Sequence, residues 1–257
     1  QTIVVDDYLE IRPDRRQTLR QYVSEGRVLI GPWYTIPDEF LPSGEALIRN
    51  LLLGKREAEA YGGNMAVGYL PDPFGHISQM PQILRGFDYA SAVLWRGIGE
   101  DVKQSEFVWE APDGSQVFTV YLPFSYLHAQ FLGPGLDLFL KRVAAARGEL
   151  VPYATTSNIL IMNGGDHIEP QPYVPELMRQ AQDQLPDLAL VHSTLPRYIE
   201  AVRQERPDPG LRLQGELRSS QRTHLLPGVL SVRIWIKQQN AACQTVLERW
   251  AEPSSAW

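Results

Sequence analysis

Along residues 1–205, apolar runs of β type alternate with amphipathic helical stretches. The continuous runs RVLIGPW, NMAVGYL, ASAVLWRG, NILIMNGG and LALVHS predict strands buried on both faces, since such strands have no solvent side toward which to alternate. SEFVWEA and QVFTVYL, joined across PDG, predict an antiparallel hairpin. Between the runs lie the helical patterns PDRRQTLRQYVSEG, SGEALIRNLLLGKREAEAYG, LDLFLKRVAAARGEL, YVPELMRQAQDQL and TLPRYIEAVRQE. The second opens on Ser43 and places Leu47, Ile48, Leu51 and Leu52 along one face. The alternation predicts an α/β domain with a mainly parallel sheet or barrel and one antiparallel excursion. It stops around RPDPG, residues 206–210. Residues 206–257 read as a linker, a loop carrying His224, and a helix from about Ser231 almost to Trp257, bearing Ile234, Leu247 and Trp250. That helix reads as the first of a helical domain.

Length and charge narrow the setting. A chain of 257 residues suits one large domain or a domain with an appended piece. The net charge of −6 is spread through the sequence, which excludes a nucleic-acid surface from the expectations. No apolar run reaches membrane-spanning length and the N-terminus lacks the signal-peptide pattern, so no membrane partner is expected. The single Cys243 leaves no internal disulfide, points to a cytoplasmic location, and reads as a small apolar packer on a helix.

In parallel α/β folds, ligands bind where the strands end. RVLIGPW is followed by Asp38 and Glu39, MAVGYL by Asp72 and His76, and SAVLWRG carries Arg96. QVFTVYL leads to Tyr126 and His128, and NILIMNGG to Asp166 and His167. Each group alone is ordinary turn chemistry. Turn chemistry does not, however, require acids to gather at one end of a sheet. Asp72 and Asp166 could face one another across a pocket, the equipment of glycoside hydrolysis. One carboxylate would attack or stabilise the anomeric carbon; the other would protonate the leaving oxygen. Gly164 and Gly165 would let the backbone approach a ligand. The chain contains no GxxxxGK[ST], GxGxxG or GxSxG pattern, which disfavours phosphate-binding and serine-hydrolase readings.

The ordered blocks GPWYTIPDEF, GYLPDPFGHISQMPQIL, VLWRG, NGGDHIEPQP and HLLPGVLSVRIWIKQQN resemble glycoside hydrolase family 38, the α-mannosidase family, in its bacterial branch. The resemblance implies a seven-stranded β/α barrel as catalytic domain over residues 1–205, with residues 206–257 leading into a helical bundle. It implies retaining hydrolysis of terminal α-mannosides, assisted by zinc. By position, Asp72 resembles the nucleophile and a zinc ligand, Asp166 the general acid/base, and His224 the late zinc ligand. Arg96 resembles an active-site arginine; Trp33, Asp38 and Tyr126 resemble substrate-pocket positions. His76 is assigned a structural role, hydrogen-bonding its loop. The family opens on a strand with a His-x-Asp type motif that supplies two further zinc ligands. This chain starts at QTIVVDDYLEIRPD and contains no such motif, which implies an incomplete barrel and an internal fragment of a larger enzyme. The family's frequent multimers imply a homo-oligomer. Two other readings stay open: a carbohydrate-binding remnant without turnover, and a barrel enzyme that deacetylates carbohydrate.

Overall fold

The computed structural model describes residues 1–256. Helices α1 (Ile3–Ile11), α2 (Arg16–Ser24) and α3 (Gly44–Ala60) precede strand β1 (Gly68–Leu70). Then follow α4 (Met80–Gly86), β2 (Ser91–Leu94), β3 (Glu106–Glu110) and β4 (Gln116–Tyr121). Helices α5 (Leu136–Leu150), α6 (Val174–Gln182) and α7 (Leu195–Glu205) lead to β5 (Arg212–Gln214). A helical run closes the description: α8 (Ile234–Val246), a π-helical turn (Leu247–Ala251) and α9 (Glu252–Ser255).

The strands form one five-stranded mixed sheet in the order β1-β2-β4-β3-β5. β1, β2 and β4 run parallel, with Leu70 opposite Leu94 and Leu94 opposite Tyr121. The predicted hairpin is present: β3 runs antiparallel to β4, from Glu106 opposite Val120 to Glu110 opposite Gln116. At its tip Ala111 and Ser115 are bonded through backbone and Gly114 takes φ +83. β5 adds parallel to β3.

The central strands β2 and β4 are buried on both faces, which accounts for the unbroken run ASAVLWRG and for the apolar content of QVFTVYL. Ala92 and Leu94 of β2 and Val117 and Tyr121 of β4 join a core with Trp33, Leu51, Leu84 and Trp109. Their alternate neighbours Val93, Phe118 and Val120 join a second core against Tyr198, Ile199 and Val202 of α7. Helix α3 is capped as expected, Ser43 Oγ accepting from the Ala46 amide at 3.0 Å. Of its four apolar positions only Leu47 and Leu51 are buried; Ile48 and Leu52 are exposed.

Among the described residues the sheet is open, with β1 and β5 as edges. Other expectations are corrected. RVLIGPW, NILIMNGG and LALVHS form no ladder. RVLIGPW is reached by one bond, Met65 N donating to Ile30 O at 2.9 Å, and NILIMNGG by another, Ala129 N donating to Met162 O at 3.0 Å. Apolar content makes a segment suited to a strand, but a neighbour with a matching row of backbone groups makes it one. The C-terminal helical run is present, with Ile234, Leu247 and Trp250 half or more exposed. It is tied to α3 by Arg49 to Glu252 and Ser43 to Glu248. Trp257 lies outside the described residues. Cys243 is exposed rather than packed. No described helix is long and apolar enough to cross a membrane.

Candidate active site

The sheet register sets the first contact of the site. Leu70 of β1 lies opposite Leu94 of β2, so the residues two positions beyond each, Asp72 and Arg96, emerge side by side at the same sheet end. Arg96 donates to Asp72 Oδ1 from Nε at 2.7 Å and from Nη2 at 2.6 Å. Both contacts fall on Oδ1, leaving Oδ2 available. The third guanidinium nitrogen, Nη1, donates to the backbone carbonyl of His224 at 2.9 Å. The guanidinium plane lies against Trp95 at 4.1 Å and Phe74 at 4.7 Å, measured to the ring centroids. Such packing on aromatic faces fixes the planar fork of arginine in one orientation. The Arg96 side chain is only 8 % exposed against 38 % for Asp72, so the cation stands behind the carboxylate.

β4, the next parallel strand, leads into the loop that carries Tyr126. Ser125 there holds φ +85, and its Oγ accepts from the Leu127 amide at 3.1 Å. A left-handed conformation outside glycine is strained and is kept where surrounding structure enforces it. Tyr126 donates from its hydroxyl to Asp166 Oδ2 at 2.8 Å, and its ring meets Trp95 edge-on at 5.6 Å. Arg96, Trp95 and Tyr126 thus link the two carboxylates through one continuous set of contacts. Burial, the bond to Asp166 and the charge of Asp72 hold the Tyr126 phenol well above its ordinary titration range.

Asp72, Asp166, Asp38 and Tyr126 line one cleft of about 550 Å³, together with Tyr69 and Asn163. Its volume is in the range of small-molecule sites. Burial, followed by the charge of Asp166, pushes the Tyr69 phenol up to about 12. Burial raises the Asp38 carboxyl, with the charge of Lys237 opposing. Asp38 Oδ1 is buried without a hydrogen-bond partner among the described residues. It is an acceptor that a sugar hydroxyl could satisfy.

Asp38, Asp72, Tyr126 and Asp166 line one cleft; Asp72 and Tyr126 follow β1 and β4, whereas Asp38 and Asp166 follow segments that form no ladder. Trp33 is a correction: it is 1 % exposed in the main core and does not reach the cleft wall. Its segment forms no edge at the sheet end, and helix α3 packs over it. Arg96 contacts Asp72 rather than the cleft itself. His224 is exposed and reaches the site through its backbone carbonyl. His76 is fully buried and pairs with Glu39, in agreement with its structural assignment. His128 pairs with Glu149, and His167 is exposed at φ +57. Gly165 is closely approached by Gln130 and Leu127 side chains, so its lack of a side chain serves packing within the protein. The reading missed Tyr69; its place next to Leu70, on the opposite face of the last β1 residues, was the available signal.

Asp72 from the carboxyl end of β1 and Asp166 from a loop outside the sheet meet in one cleft, two carboxylates of the kind that glycoside hydrolysis uses. The chain belongs to glycosyl hydrolases family 38, whose N-terminal domain model matches residues 2–222. It is 37 % identical to the "Putative mannosylglycerate hydrolase" of Halalkalibacterium halodurans over 98 % of this chain and 30 % of that protein. It superposes on the crystal structure of an alpha-mannosidase from Enterococcus faecalis V583 with a TM-score of 0.90 and 32 % identity, over 96 % of this chain and 29 % of that one. A second Enterococcus faecalis structure of glycosyl hydrolase family 38 matches with a TM-score of 0.68 and 28 % identity, over 84 % of this chain and 23 % of that one. The chain thus spans about 30 % of the length of the first of these relatives.

Zinc requires four donors in a closed site, or three with an open position. Asp72 and His224 are two, and His224 turns its carbonyl to Arg96. No group of three His, Cys, Asp or Glu residues arranged to hold a metal occurs among the described residues. These residues do not by themselves compose a zinc site, and no chemical step below passes through a metal.

Proposed function

We propose that this chain carries the catalytic face of an enzyme that hydrolyses terminal α-mannosides with retention of configuration. One observation carries the reading: Asp72 and Asp166 line the same cleft, each held by its own partner, Arg96 and Tyr126. Asp72, with Oδ1 fixed by Arg96 and Oδ2 available, is the nucleophile that attacks the anomeric carbon and forms a mannosyl-enzyme. Asp166 is the acid that protonates the departing oxygen and then the base that takes a proton from the incoming water. Tyr126 orients Asp166, and Asp38 accepts from a sugar hydroxyl. The relatives' names, alpha-mannosidase and mannosylglycerate hydrolase, supply the sugar; the cleft supplies the two carboxylates. In the same reading the open sheet belongs to a seven-stranded barrel, and zinc bound at Asp72 would need donors besides His224.

The test is release of 4-nitrophenol from its α-mannoside, with the anomer of the first-formed mannose followed by NMR. Turnover giving the α-anomer, lost in Asp72→Asn and Asp166→Asn, supports the proposal. Product of inverted configuration would remove the mannosyl-enzyme. Mannose binding without turnover would leave a carbohydrate-binding protein.

A further inference from the structure

Behind the cleft, Glu39 and His76 form a pair with no solvent exposure of either side chain. His76 Nδ1 lies 2.6 Å from Glu39 Oε1, and the Ile77 amide donates to Oε2 at 2.9 Å. Taking Glu39 as a carboxylate, which can only accept, assigns the imidazole proton to Nδ1. That leaves Nε2 buried without a partner among the described residues, on a ring that packs edge-to-face with Trp109 at 5.8 Å between centroids. A pair buried in this way is a poor source of stability, because desolvating a carboxylate costs about as much as its bonds return. What it does supply is direction. Both carboxylate oxygens are occupied, by a side chain and a main chain of the same loop.

The placement gives that direction a use. Glu39 follows Asp38 in the chain, and Asp38 faces the cleft. His76 closes the loop that starts at Asp72, which faces the same cleft. The two loops are 37 positions apart in sequence and meet through this pair. The loop of His76 is also stitched by its backbone to Leu217, in both directions at 3.0 Å, while Gly97 beyond Arg96 accepts from the Ser219 amide at 3.0 Å. One strap, residues 217–224, therefore backs Asp72 and Arg96 together, and Glu39 adds the Asp38 loop to the assembly.

We infer that Glu39 and His76 are positioning residues, which set the Asp38 loop against the Asp72 loop and so fix the nucleophile relative to the bound sugar. The inference rests on the glycosidase reading of the cleft. Misplacing a reacting group by about an ångström costs up to roughly 100-fold in rate.

The test compares Glu39→Gln, His76→Leu and His76→Asn in the purified protein, each shown to be folded by circular dichroism at the assay temperature. Glutamine offers one acceptor where two donors point. Asparagine keeps a donor near the Nδ1 position; leucine removes it. Expected is a fall in kcat of about 10- to 100-fold for Glu39→Gln and His76→Leu, with KM changed less than about twofold, and recovery of most of the loss in His76→Asn. Folded variants with wild-type kcat, or His76→Asn as slow as His76→Leu, would overturn it. Should His76→Leu fail to fold, Glu39→Asp keeps both acceptors on a shorter arm. A lowered kcat there supports the inference and an unchanged one overturns it. If the wild-type protein turns over no α-mannoside, the functional reading fails separately. Crystal structures of the variants then decide the inference: Asp38 and Asp72 loops shifted relative to one another in Glu39→Gln and His76→Leu, and back in place in His76→Asn, support it, and loops unmoved in Glu39→Gln and His76→Leu overturn it.

Discussion

At the scale of single residues, the cleft carries an electrostatic cost at Asp38. Its carboxyl is raised by burial, so in the pH range upward from the ordinary carboxyl value the native chain binds more proton than the unfolded one. Stability contributed through this group is therefore greatest at low pH and declines as pH rises through the raised value. Asp38→Asn should raise the melting temperature at pH 7 and flatten that decline, measured by thermal melts across pH without ligand; an unchanged profile would contradict the burial of Asp38. Tyr126→Phe keeps the ring against Trp95 and removes only the bond to Asp166. A hydrogen bond to a charged group contributes about 1.5–3 kcal/mol, so kcat on an α-mannoside should fall roughly tenfold or more. Asp72 and Tyr126 were legible because strand ends in parallel sheets face one rim, whereas Asp38 and Asp166 reach that rim from apolar runs that form no ladder. Trp33 was misread because an aromatic beside a turn looks the same in a core as on a wall; only the helix packed over it separates the two.

At the scale of elements, α3 holds the segment that leads into Asp38. Gly54 on this helix meets the backbone of residues 32–34. A Cβ there would fall inside van der Waals contact of the Pro32 oxygen, the Trp33 carbonyl carbon and the Tyr34 nitrogen. None of these can move aside as a flexible side chain would. Gly54→Ala should destabilise the fold by about 1–3 kcal/mol in denaturant melts, against the modest gain expected from alanine in a helix. Ser43→Ala removes the cap and should cost about 1 kcal/mol in the same experiment. The helices and the hairpin were readable because their signals are local: a cap, a turn dipeptide, a repeated apolar spacing. RVLIGPW, NILIMNGG and LALVHS were not, because ladder formation depends on a neighbour that no local pattern encodes.

At the scale of the whole molecule, the core beneath the sheet is closed to solvent while the last helical run is exposed. Trp235 and Trp250 are 66 % and 67 % exposed, whereas Trp33 and Trp109 are 1 % or less. Iodide should quench a part of the tryptophan emission that disappears in the double substitution Trp235→Phe, Trp250→Phe; quenching unaffected by that change would mean the helix is covered. The antiparallel excursion adds a second property of the whole. Because β3 reverses against β4, the tip at residues 111–115 lies at the start of β4, and Tyr126 lies beyond its other end. Pro112, Asp113 and Gly114 are exposed there. The molecule therefore offers a handle remote from its chemistry: a fluorophore, an affinity peptide or a surface tether grafted at Asp113 would leave the working end facing solution.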